Sequence, residues 1–232
     1  MIFKQLIDKL TSTYTYIIAD SETKEAVIID CVLENTERDH KIIWELGLTV
    51  KYFLDTHVHA DHITWSFRLK EILKTWEIWI WIMNTEVKHN DLFLEDWQKL
   101  HIWNIEIIIL ETPWHTDGCI SFIINDMIFT WDLLLVRGSG RTDFQSGSNE
   151  NMFQSVRNKI FTLPDNTIIY PAHDYNWFTN STVWEEKLYN PRLKLSNSYK
   201  QFDEIMRNLN LEYPKKIDQS LPANLNSGYK LK

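Results

Sequence analysis

Thr56-His57-Val58-His59-Ala60-Asp61-His62 places three histidines and an aspartate within six residues, directly after an apolar run over 50–54. The run before it has strand character, and residues 62–73 after it have amphipathic helical spacing. A loop anchored between two regular elements thus carries imidazole nitrogens and a carboxylate oxygen, donors suited to a borderline divalent ion. One histidine in a polar loop is usually just solvated. The close H-x-H-x-D-H spacing is what favours a metal.

Further along, His115 follows an expected strand over 105–110, Asp132 follows one over 127–130, and His173 follows one over 167–170. Each is a potential ligand just past an apolar strand, as it should be if several strands deliver side chains to one rim of a sheet. Two more strands, over 14–19 and 26–29, are joined by the polar turn 20–25 and read as a hairpin. Strands are also expected over 79–83 and 120–124. Helices are expected over 37–46, with Gly47 as the stop, over 150–160, and over 198–209. Pro214 and Pro222 punctuate the tail. Strands and helices mix, and some strands join by tight turns, so a layered α/β or α+β architecture is expected. One domain over 1–232, with a short C-terminal extension from about 190, fits the length.

A net charge of −8 argues against nucleic acid or an anionic membrane as the main partner. No apolar run approaches the ~20 residues that span a bilayer. Cys31 and Cys119 are too few for a disulfide framework, and the N-terminus lacks the basic start and cleavage site of a signal peptide. A cytoplasmic location is expected.

The series HVHADH, His115, Asp132 in FTWD and His173 in YPAHDY resembles the ligand series of the metallo-β-lactamase superfamily. That resemblance implies an α+β αββα sandwich, with two mixed sheets packed face to face and helices outside. TYTYIIAD, EAVIIDCVLE, THVHADHIT, RGSGRTDFQSG, KIFTLPDNTIIYPAHDY, NPRL and PKKIDQSLPAN narrow it further. They resemble the persulfide dioxygenases, from Phe3 to about Gly228. The resemblance implies one iron(II) per chain held by His57, His115 and Asp132, two histidines and a carboxylate that leave coordination positions open. His59, Asp61, His62 and His173 then orient those ligands or hold a second metal. The implied reaction is oxidation of glutathione persulfide by O₂ to sulfite and glutathione. Arg141 is the expected clamp for a substrate carboxylate and Tyr175 a hydroxyl donor to the glutathione moiety, while Asp174 tethers its loop. Ser139 stands where the family often has cysteine. A sulfurtransferase partner and a homodimer are further implications.

Dinuclear hydrolases use the same ligand positions, so a zinc-dependent glutathione thioester hydrolase of the glyoxalase II type stays open. A third alternative is a degenerate, non-catalytic member of the fold. It arises from the tryptophans: the chain has 11 Trp and only 6 Gly. Trp65, Trp97, Trp103, Trp114, Trp131 and Trp177 stand where the resemblance has glycine. Indoles at 114 and 131 together are expected to crowd the site. A translation that renders UGA as tryptophan, when the source organism reads it as glycine, accounts for both the surplus and the deficit.

Overall fold

The computed structural model describes the chain except residues 74–78, 83–86, 89–90, 115–117, 174, 177, 214–215 and 229–232, and except the side chains of 79–82 and 92. The elements run β1 Ile2–Asp8, β2 Thr13–Ala19, β3 Glu25–Ile29, α1 Thr36–Glu45, β4 Thr49–Leu54, α2 Ser66–Leu73, β5 Trp79–Ile82 and β6 Leu92–Phe93. They continue with β7 Lys99–Ile102, β8 Ile105–Glu111, β9 Ile120–Ile124, β10 Met127–Trp131, α3 Asn149–Ser155 and β11 Ile168–Pro171. Then follow β12 Ser181–Thr182, α4 Val183–Tyr189, α5 Tyr199–Arg207 and α6 Ile217–Asn224. Two six-stranded sheets, ordered β1-β2-β3-β4-β5-β6 and β12-β11-β10-β9-β8-β7, with six α-helices among the described residues, make the expected α+β architecture. No helix among the described residues is long and apolar enough to cross a membrane.

The chain divides into two compact units, the first formed by Met1–Leu94, Lys99–Glu106 and Tyr213–Lys232, the second by Glu95–Gln98 and Ile107–Glu212. In the first, β1, β2 and β3 pair antiparallel and β3 to β6 pair parallel, so the sheet is mixed. Strand alternation sends Ile17, Ala19, Ala26 and Ile28 to one face, where they cluster with Phe53 of β4, Ile43 of α1 and Leu69 of α2. The hairpin turn forms because the Asp20 carboxylate accepts the amides of Glu22 and Thr23. Gly47 ends α1 with φ 62, as its position predicts.

The helix expected from residue 62 begins only at Ser66. The intervening residues bond across to the segment after β3: Leu33 N–H donates to Ile63 O, Trp65 N–H to Cys31 O, and Val32 bridges Thr64. Their backbone groups are spent on a long-range partner, so they cannot start a helix.

In the second unit, β10 and β11 pair parallel, whereas β8–β9, β9–β10 and β11–β12 are antiparallel. Leu110, Ile128, Met152, Val156, Ile160 and Phe202 form its core. The helix expected over 150–160 is α3 continued by a π-helical turn, Val156–Ile160. A capping box between Ser198 and Gln201 starts α5.

Trp97, Trp103 and Trp131 adopt left-handed backbone, at φ 61, 50 and 48. The first two are 61% and 57% exposed, so little burial offsets the strain. Trp103 opens the two-residue turn between β7 and β8, a place that glycine, asparagine and aspartate favour. A side chain costs about 1–2 kcal/mol in that region, against which glycine's looser unfolded chain gives back about 0.5–1 kcal/mol. Trp97→Gly and Trp103→Gly are each expected to stabilise the protein by roughly 0.5–1 kcal/mol. Urea midpoints that stay put or fall would contradict this.

Candidate metal centre

Parallel strands β3 and β4 each end in an aspartate, Asp30 and Asp55, and the carboxyl ends of parallel strands are where such sheets bind ligands. Asp30 sits at φ 50, a conformation that aspartate tolerates better than most residues. Its Oδ1 accepts the Thr56 amide at 2.8 Å and meets His59 Nε2 at 2.8 Å. Asp55 accepts the hydroxyls of Thr64 and Ser66. Both carboxyls are buried, and burial pushes their pKa values above the usual carboxylate range, Asp30 adding to the effect on Asp55.

With Nε2 engaged by a carboxylate, His59 has Nδ1 left to coordinate an ion, the arrangement in which a carboxylate fixes tautomer and ring orientation. His62 Nδ1 lies 3.0 Å from Asp61 Oδ2, which also accepts the Thr13 hydroxyl at 3.0 Å. That leaves Nε2 of His62. Burial pulls the His62 pKa down, but the Asp61 carboxylate beside it, with Asp30 and Asp55 behind, outweighs burial and the net shift is upward. His57 Nδ1 is 3.1 Å from the Thr56 hydroxyl. The His57 and His59 rings stand 4.3 Å apart, as do those of His59 and His62.

Two sets, His59-Asp61-His62 and Asp30-Asp55-His59, each bring their ligand atoms within 4.8 Å of one another. Nitrogen and carboxylate oxygen at that spacing fit a divalent ion such as iron(II) or zinc. A cation there also offsets the cost of burying two carboxyls.

In the second unit, β10 and β11 run parallel, so Asp132 and His173 leave the same end of the sheet. His173 Nε2 lies 3.3 Å from Asp132 Oδ1, and its ring stacks on Tyr175 at 5.3 Å. The register shifts between Phe129 and Trp131, and the left-handed turn at Trp131 swings Asp132 off the strand. The Asp132 carbonyl is held by the Gly140 amide at 2.6 Å.

Arg141, the expected clamp, grips Asp143 with both arms of its fork at 2.7 Å and donates a third bond to Glu212 O. Its loop is secured by buried Glu186, which accepts the Arg137 amide, while Asn190 and Arg192 hold the Gly138 and Ser139 carbonyls. Ser139 is buried, its hydroxyl 3.7 Å from Met206 sulfur. The expected crowding by indoles takes a different form. Trp114 packs among Leu110, Cys119 and Leu133, and Trp131 is 1% exposed. Room for Trp114 comes from Gly140, where a Cβ would fall 2.8 Å from the indole. Trp65 is half-buried against the first unit's core. His115, Asp174 and Trp177 lie outside the described residues.

Asp30 and Asp55 were not anticipated. Both follow apolar strands, so the rule that picked out Asp132 and His173 could have found them.

Among solved structures, ETHE1 from Myxococcus xanthus matches with a TM-score of 0.94 and 43% identity, covering 99% of this chain and 100% of that one. A metallo-β-lactamase from Staphylococcus aureus matches with a TM-score of 0.87 and 27% identity, covering 98% of this chain and 73% of that one. Fold and donor set together define a metal-binding protein of the metallo-β-lactamase fold. Human mitochondrial persulfide dioxygenase ETHE1 is 45% identical over 230 residues, 98% of this chain and 89% of the human protein. The chain belongs to the persulfide dioxygenase family. No protein-family model matches it.

Proposed function

We propose that this chain is an iron(II) dioxygenase that converts glutathione persulfide, O₂ and water to glutathione and sulfite, working as one catalytic domain. The observation that carries it is 45% identity to the human enzyme over 98% of the chain, in a sequence that has the HVHADH loop, Asp132 and His173. His57, His115 and Asp132 would hold the iron. Bound there, iron(II) would supply the redox chemistry that couples oxidation of the persulfide sulfur to reduction of O₂.

The remaining residues hold and orient. Asp30 fixes the His59 ring, Asp61 fixes His62, and His173 steadies the Asp132 carboxylate. Tyr175, 64% exposed and stacked on His173, offers its hydroxyl to the glutathione moiety. Arg141 already grips a carboxylate in the two-armed geometry that a substrate carboxylate needs, with Asp143 as the exchangeable partner. Charged hydrogen bonds are worth about 1.5–3 kcal/mol. Arg141→Ala is therefore expected to raise KM for glutathione persulfide about tenfold or more with kcat little changed. An unaltered KM would reduce Arg141 to a surface ion pair. The family resemblance further implies a homodimer with a sulfurtransferase as partner, and the cytoplasmic location is the reading of the sequence itself.

The deciding experiment combines metal analysis with an oxygen electrode. One iron per chain and O₂ uptake matched by sulfite release support the assignment. Hydrolysis of a glutathione thioester without O₂ uptake would replace it with the dinuclear zinc hydrolase. A folded protein that binds neither metal would be the degenerate member.

A further inference from the structure

We propose that Asn224, some 160 residues downstream in the sequence, is the positioning residue of the metal-binding loop. Its amide nitrogen donates to the carbonyls of His59 and His62, both at 2.8 Å, and its oxygen accepts the Thr64 amide at 2.8 Å. One buried side chain thereby ties three backbone groups of a six-residue stretch, 59–64. The loop leaves β4 and reaches α2 without regular structure of its own, and this side chain fixes the carbonyls of two of its ligand-bearing residues. The neighbouring contacts act in the same direction. Val58, between His57 and His59, packs with Val87, Leu221 and Leu225. Lys88 N–H donates to Leu225 O, and Ser227 Oγ donates to Lys88 O. Gly228, at φ 70, passes so close that a Cβ would fall 2.5 Å from Thr64 O. Thus α6 and the turn after it form a clasp on the ligand loop, and Asn224 is its catch.

This rests on the metal reading of the loop, so the test separates the two. In metal-free protein, hydrogen exchange at the Thr64 amide is expected to be slow in wild type and to quicken at least tenfold in Asn224→Ala, with β1 to β3 unchanged. Asn224→Asp keeps an acceptor for Thr64 but loses both donors, so Thr64 stays protected. Affinity for added zinc is expected to fall about 10–100-fold in both variants. If Asn224→Ala does not fold, Asn224→Asp decides alone. Wild-type zinc affinity in a folded variant overturns the proposal. Failure of the wild type to bind zinc at all would strike the metal reading instead, while the exchange result still tests the tie.

A separate observation carries a second inference: we infer that the native residue at 97, 103 and 131 is glycine. Among the described residues, three tryptophans hold left-handed backbone, in a chain of 11 Trp and only 6 Gly. Indole-bearing residues resist that conformation and glycine does not. Some bacterial lineages read UGA as glycine, and translation under the code that reads it as tryptophan would produce this exchange at just such positions. UGA at the three codons, with peptide masses from the native host matching glycine, is expected. UGG codons, or tryptophan in the native peptides, overturn it.

Discussion

Replacing His57 with alanine is expected to yield a folded protein that retains no stoichiometric iron and has lost about three orders of magnitude in kcat/KM. His57 is 3% exposed at the tip of β4, its Nδ1 beside Thr56 and its ring 4.3 Å from that of His59. Truncation removes one imidazole donor from the proposed set, and the His59 and His62 rings are held in their own orientations by Asp30 and Asp61. A metal supplies several kcal/mol of catalysis, and about 1.36 kcal/mol corresponds to a tenfold change in rate. Roughly 4 kcal/mol gives the thousandfold loss. Circular dichroism checks the fold, and metal analysis with O₂ uptake checks the rest. A variant that keeps one iron per chain and wild-type turnover would remove His57 from the ligand set.

Asp30→Ala is expected to cost about 2–4 kcal/mol of stability in metal-free protein and to weaken metal binding about 10–100-fold. Two buried groups, the Thr56 amide and His59 Nε2, lose their partner, and an unsatisfied buried donor costs about 1–3 kcal/mol. Alanine at φ 50 adds strain that aspartate tolerates. Losing a costly buried carboxyl returns part of this. Asp30→Asn keeps the shape, one acceptor and the backbone tolerance, so it should lose metal affinity with less stability. Urea titration in chelator gives the first quantity and zinc competition the second. If Asp30→Ala matched wild type in both, the carboxylate would have no orienting role.

The metal loop was legible because three histidines and an aspartate in six residues have few other uses. Asp132 and His173 were legible because strand periodicity placed each just past an apolar run. Arg141 was legible as a carboxylate-gripping fork, but not that its own neighbour Asp143 fills it. Pro222, which in the sequence punctuates the tail, lies inside α6. Its missing amide removes a single bond from a helix of two turns, which packing of Leu221 and Leu225 against Val58 offsets.

Local chemistry alone determined the histidine-rich loop, the strands that precede Asp132 and His173 and the α+β class, since side-chain type and periodicity are properties of neighbouring residues. Tertiary structure decided what distance along the chain conceals: that α2 waits until Ser66, that Asp30 sets the His59 tautomer, and that Asn224 closes on a loop far upstream. Each of these is a hydrogen bond between groups far apart in sequence. Such a partner is chosen by the folded backbone, because a buried polar group must be paired and only the completed fold says with what.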